Sequence, residues 1–209
     1  MSKVHALHSL YGGRVSRLRE AAAAEGKALA GNVGGQKRNQ TVLTPRWFVG
    51  QLIHSAGYPL GYDPCTTAWN PTKAKVFSTE KTDGLKTNWA AICKKHDGWI
   101  YVNPPFDKLK LWLAKCELEA MRGARIYCLA PFRPWRTWFC SYTEAWPVVS
   151  LAPFPFVGEK NAYPAPLCVI SYNLPVPQII NPKGKNMVTG LWTVVTENRQ
   201  ELRIVKRKG

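Results

Sequence analysis

The sequence predicts an α/β fold with a mostly parallel central sheet and flanking helices, and three observations support this. Two short apolar runs, WIYVN at 99 to 103 and ARIYCLAP at 124 to 131, have the composition of strands buried on both faces. A stretch of helical periodicity from Leu109 to Arg122 lies between them, and a second helical stretch, RPWRTWFCSYTEA, follows. Strand, helix, strand, helix in that order argues for parallel strands joined by crossover helices. With 209 residues the chain can hold one domain with a real core, so any site must be built inside that unit or where it meets a second copy.

In chain order, residues 1 to 40 are glycine-rich and basic around one Ala-rich patch, RVSRLREAAAAEGKALAG, which predicts a helix ending at Gly31. GNVGGQKRNQ then has the composition of a flexible linker, which sets these 40 residues apart as an arm. The main folded domain is expected over 41 to 180. It opens on Thr44 and Pro45, read as N-cap and first helical residue, with Trp47, Phe48, Leu52 and Ile53 at helical spacing and Gly57 closing the helix. A strand over Tyr58 to Tyr62 is expected to deliver Asp63 at its carboxyl end, and TEKTDGLKTNWA reads as a polar loop. Beyond Pro147 short apolar runs alternate with prolines, and APLCVISYN is an expected strand. GLWTVVTEN, another expected strand, lies in a basic C-terminal strand and tail over 181 to 209.

Charge narrows the partner. Lys and Arg number 29 against 13 Asp and Glu, a formal net charge of +16, which points to a polyanion. Residues 1 to 46 hold eight basic and two acidic residues, and 183 to 209 hold seven and two. The excess is thus densest at the two ends, as expected of phosphate-contacting extensions. Six cysteines occur without a CxxC pair and the four histidines do not cluster, so neither a zinc site nor any other metal centre is expected. With no leader-like or membrane-length apolar run, the expected setting is a reducing cytoplasm with no membrane partner.

Chemistry concentrates at IYVNPPFDK, residues 100 to 108. At the end of a buried strand, Asn103 followed by Pro104 and Pro105 fixes a loop in which the Asn side-chain oxygen and the Pro104 carbonyl can aim at one point, and proline adds no competing N–H. An exocyclic amine of a base would satisfy both acceptors, and Phe106 offers a face on which a planar base can stack. Gripping both amine hydrogens favours a more tetrahedral nitrogen whose lone pair can attack an electrophilic methyl group. No protein nucleophile is needed for this chemistry. As an alternative the same residues could form a plain strand-ending turn, since Asn and Pro are ordinary turn formers.

NPPF resembles the (D/N/S)PP(Y/F/W) motif of amino-methylating, S-adenosylmethionine-dependent methyltransferases. The run from TPRW through YDPCTTAWN, TDGLKTNW, IYVNPPF, ARIYCLAP, TWF and YPAPLCVISY is similar, in order and spacing, to phage and prophage Dam-like DNA N-6-adenine methyltransferases. The resemblance covers about residues 43 to 173 and implies a Rossmann-like class I methyltransferase fold. It also implies S-adenosylmethionine as cofactor, DNA as partner and an adenine flipped out of the duplex as substrate. Asn103, Pro104, Pro105 and Phe106 take the catalytic role. Thr44 and Pro45, Asp63 and Pro64, and Asp83 and Leu85 take the cofactor-binding role. Arg133, Trp135, Arg136 and Trp138, just after a strand, are the expected DNA-engaging set. The chain departs from the pattern where a glycine-rich loop would follow the acidic strand and reads DPCTTAWNPT instead, and where an arginine-containing segment reads PFPFVGEK.

Three other readings stay open in the sequence. Pro64-Cys65 could be the nucleophile pair of a cytosine-C5 methyltransferase, although its acidic partner motif is absent. An RNA base or another amino group could replace DNA adenine. The chain could also be a non-catalytic basic nucleic-acid-binding protein using its nine tryptophans.

Overall fold

The computed structural model describes residues 42 to 144, 146 to 197 and 201 to 206. The arm expected over 1 to 40 lies outside the described residues. Helix α1 (Arg46–Ala56) is followed by strands β1 (Leu60–Asp63) and β2 (Val76–Phe77), helix α2 (Trp89–His96) and strand β3 (Trp99–Val102). Helix α3 (Leu109–Met121), β4 (Ile126–Pro131), α4 (Thr137–Thr143) and β5 (Val148–Leu151) come next, then β6 (Leu167–Tyr172), β7 (Val188–Glu197) and β8 (Glu201–Lys206). The strands form one eight-stranded sheet in the order β2-β1-β3-β4-β6-β5-β7-β8.

The α/β class holds, but the sheet is mixed and not mostly parallel. Three neighbouring pairs, β1 with β2, β1 with β3 and β3 with β4, are parallel. Four are antiparallel, namely β4 with β6, β5 with β6, β5 with β7, and β7 with β8. The parallel half is where helices α2 and α3 separate the strands. Past β5 the connections carry no helix among the described residues, and β5 with β6, and β7 with β8, pair antiparallel across such links.

Side chains alternate along β3. Trp99 and Tyr101 join a cluster with Phe48, Val49, Leu52 and Ala56 of α1 and with Phe154 and Phe156, so α1 and the 152 to 156 segment cover one face. Ile100 and Val102, fully buried, point to the other face, on the side where α2 and α3 pack. Gly57, at φ 68°, ends α1 in the left-handed region, as the sequence predicts. Ile53, expected on the buried stripe, is 39% exposed.

One cap expectation is corrected. Pro45, not Thr44, is the N-cap of α1, and no side chain caps the helix. The Thr44 hydroxyl is instead taken by Tyr101 on β3 and by Asn103 just after it. Helix α2 is itself fixed from outside. Glu119 of α3, fully buried, accepts the Ala90 N–H at 2.9 Å and pairs with Lys115 at 2.8 Å and Arg122 at 3.0 Å.

Candidate functional site

The chain passes from β1 outward to β2, then returns to lay β3 on the opposite side of β1. At such a reversal the loops leaving adjacent parallel strands diverge and open a crevice at their carboxyl ends. Asp63 closes β1 and Asn103 follows β3, so the two expected positions lie at the carboxyl ends of adjacent parallel strands.

Asn103 is held from one side. Its Nδ2 donates to the Val42 carbonyl at 2.8 Å and to Thr44 Oγ1 at 3.1 Å, and Thr44 Oγ1 lies 2.7 Å from the Tyr101 hydroxyl. Only an NH2 group can meet the Val42 carbonyl, so the amide has one orientation. Oδ1 faces away from those partners, buried and without a hydrogen-bond partner among the described residues. Pro104 is buried behind it, Pro105 is half-buried, and Phe106 begins a short 3-10 turn that runs directly into α3. The Phe106 ring is braced edge-to-face by Tyr163 at 5.4 Å, and Tyr163 by Phe156 at 5.8 Å. The PFPFVGEK segment contributes the buried rings of Phe154 and Phe156, with Glu159 and Lys160 exposed at its end, and its Val157 N–H donates to the Leu43 carbonyl at 2.9 Å.

Around β1 the acid is turned inward. One Asp63 oxygen accepts the Cys65 N–H at 3.2 Å and the other accepts Thr72 Oγ1 at 2.8 Å, while the Thr66 side chain adds a further bond. Burial lifts the Asp63 carboxyl to about 6, and these hydrogen bonds only partly oppose the rise. Asp63 therefore shapes the loop that replaces the missing glycines. In that loop Thr67 Oγ1 is buried with no partner among the described residues. Gly84 packs directly on Pro64, which brings the Asp83 to Leu85 segment against the same loop. The Asp83 side chain caps the turn it begins, accepting the Leu85 N–H at 3.2 Å and pairing with Lys86.

The four residues after β4 divide. Trp135 is 68% exposed and Arg136 is exposed, on a turn closed by the Arg136 N–H on the Arg133 carbonyl at 3.0 Å. Arg133 is half-buried, and Trp138 packs edge-on against Phe139 beneath the Lys110 ammonium. Burial pushes the Cys65 thiol well above its usual value, with the Asp63 charge adding to the rise, which is the reverse of an activated nucleophile. All six cysteines are free, and no helix among the described residues is long and apolar enough to cross a membrane.

Sequence reasoning missed Tyr101, Val42, Tyr163 and Thr67 as site residues. Tyr101 had a signal, since it sits two positions before Asn103 and so shares its face of the strand. Val42 acts through its carbonyl, and Tyr163 reaches Phe106 from 57 residues away, so neither had a local signal. No family model matches the chain, and no curated protein matches it.

Proposed function

We propose that this chain is an S-adenosylmethionine-dependent methyltransferase acting on the exocyclic amine of adenine in DNA. The observation that carries the reading is Asn103 Oδ1, a buried acceptor without a partner at the end of β3, on an amide whose NH2 is already committed. A buried acceptor left open costs about 1 to 3 kcal/mol, so a ligand that brings a donor gains that amount of interaction. An aryl amine brings two donors, one for Asn103 Oδ1 and one for the Pro104 carbonyl. Phe106, braced by Tyr163, is the ring beside them, and the net charge of +16 suits a polyphosphate substrate.

The reversal of strand order between β1 and β3 supports a Rossmann-like architecture with the cofactor at the crevice. The donor groups there fit S-adenosylmethionine in part. The uncapped first turn of α1 at Pro45 suits a carboxylate, and the Thr67 hydroxyl is an open polar contact in the loop after Asp63. Asp63, Pro64 and Gly84 shape that loop, Asp83 is committed to its own turn, and Thr44 serves Asn103. When bound, the cofactor supplies an electrophilic methyl group to a nucleophile held in line. Asn103 and Pro104 orient the amine and favour its tetrahedral form, and Phe106 offers the base a stacking face.

Labelled cofactor offered with duplex DNA, single-stranded DNA and RNA side by side tests the reading. Label should appear as N6-methyladenine in DNA and vanish with Asn103→Ala, while cofactor binding by calorimetry survives. A second reading, a non-catalytic nucleic-acid binder, is favoured by the outward Trp135 and Arg136. It predicts nucleic-acid binding with no heat of cofactor binding, and that result would remove the enzyme reading.

A further inference from the structure

We propose that Thr44 and Tyr101 are positioning residues that lock the Asn103 amide, so that the site presents only acceptors and selects an amino group over an oxo group on the target base. The proposal rests on the methyltransferase reading above.

An asparagine amide can flip, and the two orientations present opposite chemistry to a ligand: an acceptor in one, a donor in the other. Here the flip is opposed at two points. The Val42 carbonyl, an obligate acceptor, meets Nδ2 at 2.8 Å, and Thr44 Oγ1 meets the same NH2 at 3.1 Å. A threonine hydroxyl could also donate, which would tolerate the flipped amide. The Val42 carbonyl, which can only accept, excludes the flipped amide, and Tyr101 holds the Thr44 hydroxyl in place beside it. The Tyr101 hydroxyl lies 2.7 Å from Thr44 Oγ1, and whichever of the two donates, a lone pair of Oγ1 remains for the amide NH2. Thr44 is 4% exposed and Tyr101 1%, so water does not compete for these bonds. Burial holds the Tyr101 phenol well above its ordinary value, so it stays a neutral hydroxyl. Tyr101 is on β3 and Asn103 is the first residue after it, so the end of one strand sets the spacing of the relay.

An amide locked this way rewards a base that offers N–H at its sixth position and penalises one that offers a carbonyl oxygen. Two acceptors facing each other in a buried site leave both unpaired, which is how polar sites reject near-isosteres most strongly.

The test uses the full chain, plasmid DNA from a methylation-free host, and three variants: Thr44→Val, Thr44→Ser and Tyr101→Phe. Thr44→Val should lower kcat about tenfold while the cofactor dissociation constant and the KM for DNA stay within about twofold, because the lost interaction orients rather than binds. Thr44→Ser, which keeps the hydroxyl, should restore most of kcat. Tyr101→Phe should give a drop of about threefold, and it keeps the proposal open to refutation if Thr44→Val does not fold. An oligonucleotide with hypoxanthine at target adenines should inhibit the wild type weakly and Thr44→Val more strongly. Full kcat in both Thr44→Val and Tyr101→Phe, with Asn103→Ala inactive, would overturn the lock and leave the enzyme reading standing. Absence of methyl transfer by the wild type would remove the enzyme reading and the lock with it.

Discussion

Gly84 lies flush against the Pro64 carbonyl, so close that a methyl group at position 84 would overlap backbone atoms of Pro64. Backbone on one strand-end loop is thereby seated on backbone of a second, and neither partner is a side chain that could swing aside. Gly84→Ala should therefore lower the unfolding free energy by about 2 to 3 kcal/mol in urea titrations. A variant that unfolds at the wild-type midpoint would show that the two loops separate freely.

Asn103→Asp keeps the acceptor oxygen and puts a second one in place of the NH2 that meets the Val42 carbonyl. An acceptor would then face an acceptor, and the folded protein should lose about 1 to 3 kcal/mol. Thermal unfolding followed as pH rises and the new carboxyl ionises reads this directly and needs no substrate. Unchanged stability would mean that the amide is not held by the Val42 carbonyl.

Asp63 gives the protein a pH dependence of known sign. Its carboxyl titrates near 6 when folded against 3.8 when free, so between these values the native state binds a proton that the unfolded chain does not. Stability contributed by this group is therefore highest below about pH 4, falls as pH rises to about 6, and is flat above, for a total of about 3 kcal/mol. The unfolding free energy of wild type minus that of Asp63→Asn should decline through that window. A difference that instead grows with pH would show that the bonds from Cys65 and Thr72 outweigh burial.

Glu119 collects three donors from two helices while wholly buried. Glu119→Ala would leave the Ala90 N–H and the largely covered Lys115 ammonium without it, and a loss of about 3 kcal/mol follows. Glu119→Gln, which can still accept from Ala90, should lose less. Equal losses in the two variants would place the stabilisation in charge alone.

If Arg136 contacts phosphate, Arg136→Ala should weaken DNA binding across all sequences and reduce the slope of log K against log salt by about 1. Trp135→Ala should weaken binding with the slope unchanged, because stacking releases no counterion. Fluorescence anisotropy at several salt concentrations separates the two. Identical slopes for wild type and Arg136→Ala would remove Arg136 from the interface.

The parallel half of the fold was legible at β1, β3 and β4, which are short apolar runs, as in Leu60 to Asp63 and Trp99 to Asn103, whereas the two-residue β2 carried no such signal. The antiparallel half was legible in part, since APLCVISYN and GLWTVVTEN read as strands where β6 and β7 lie, while β5 and β8 did not. Val148 to Leu151 is only four residues long and sits among prolines, and Glu201 to Lys206 alternates charge with apolar residues like a solvated tail. Asn103 was legible from its own neighbours, since two prolines fix the loop locally. The turning inward of Asp63 was not, because Thr72, which holds one of its oxygens, lies nine residues on in a stretch without regular structure.

The bond from the Val157 N–H to the Leu43 carbonyl also orders events in time. Asn103 is oriented by the chain at 42 to 44, and that chain is fastened by a segment that follows β5. Contacts so distant along the sequence close late in folding, after local helices and neighbouring strands have formed. A chain released with only its parallel strands assembled would carry the NPPF loop without a properly turned amide, so recovery of a competent site should trail recovery of secondary structure during refolding.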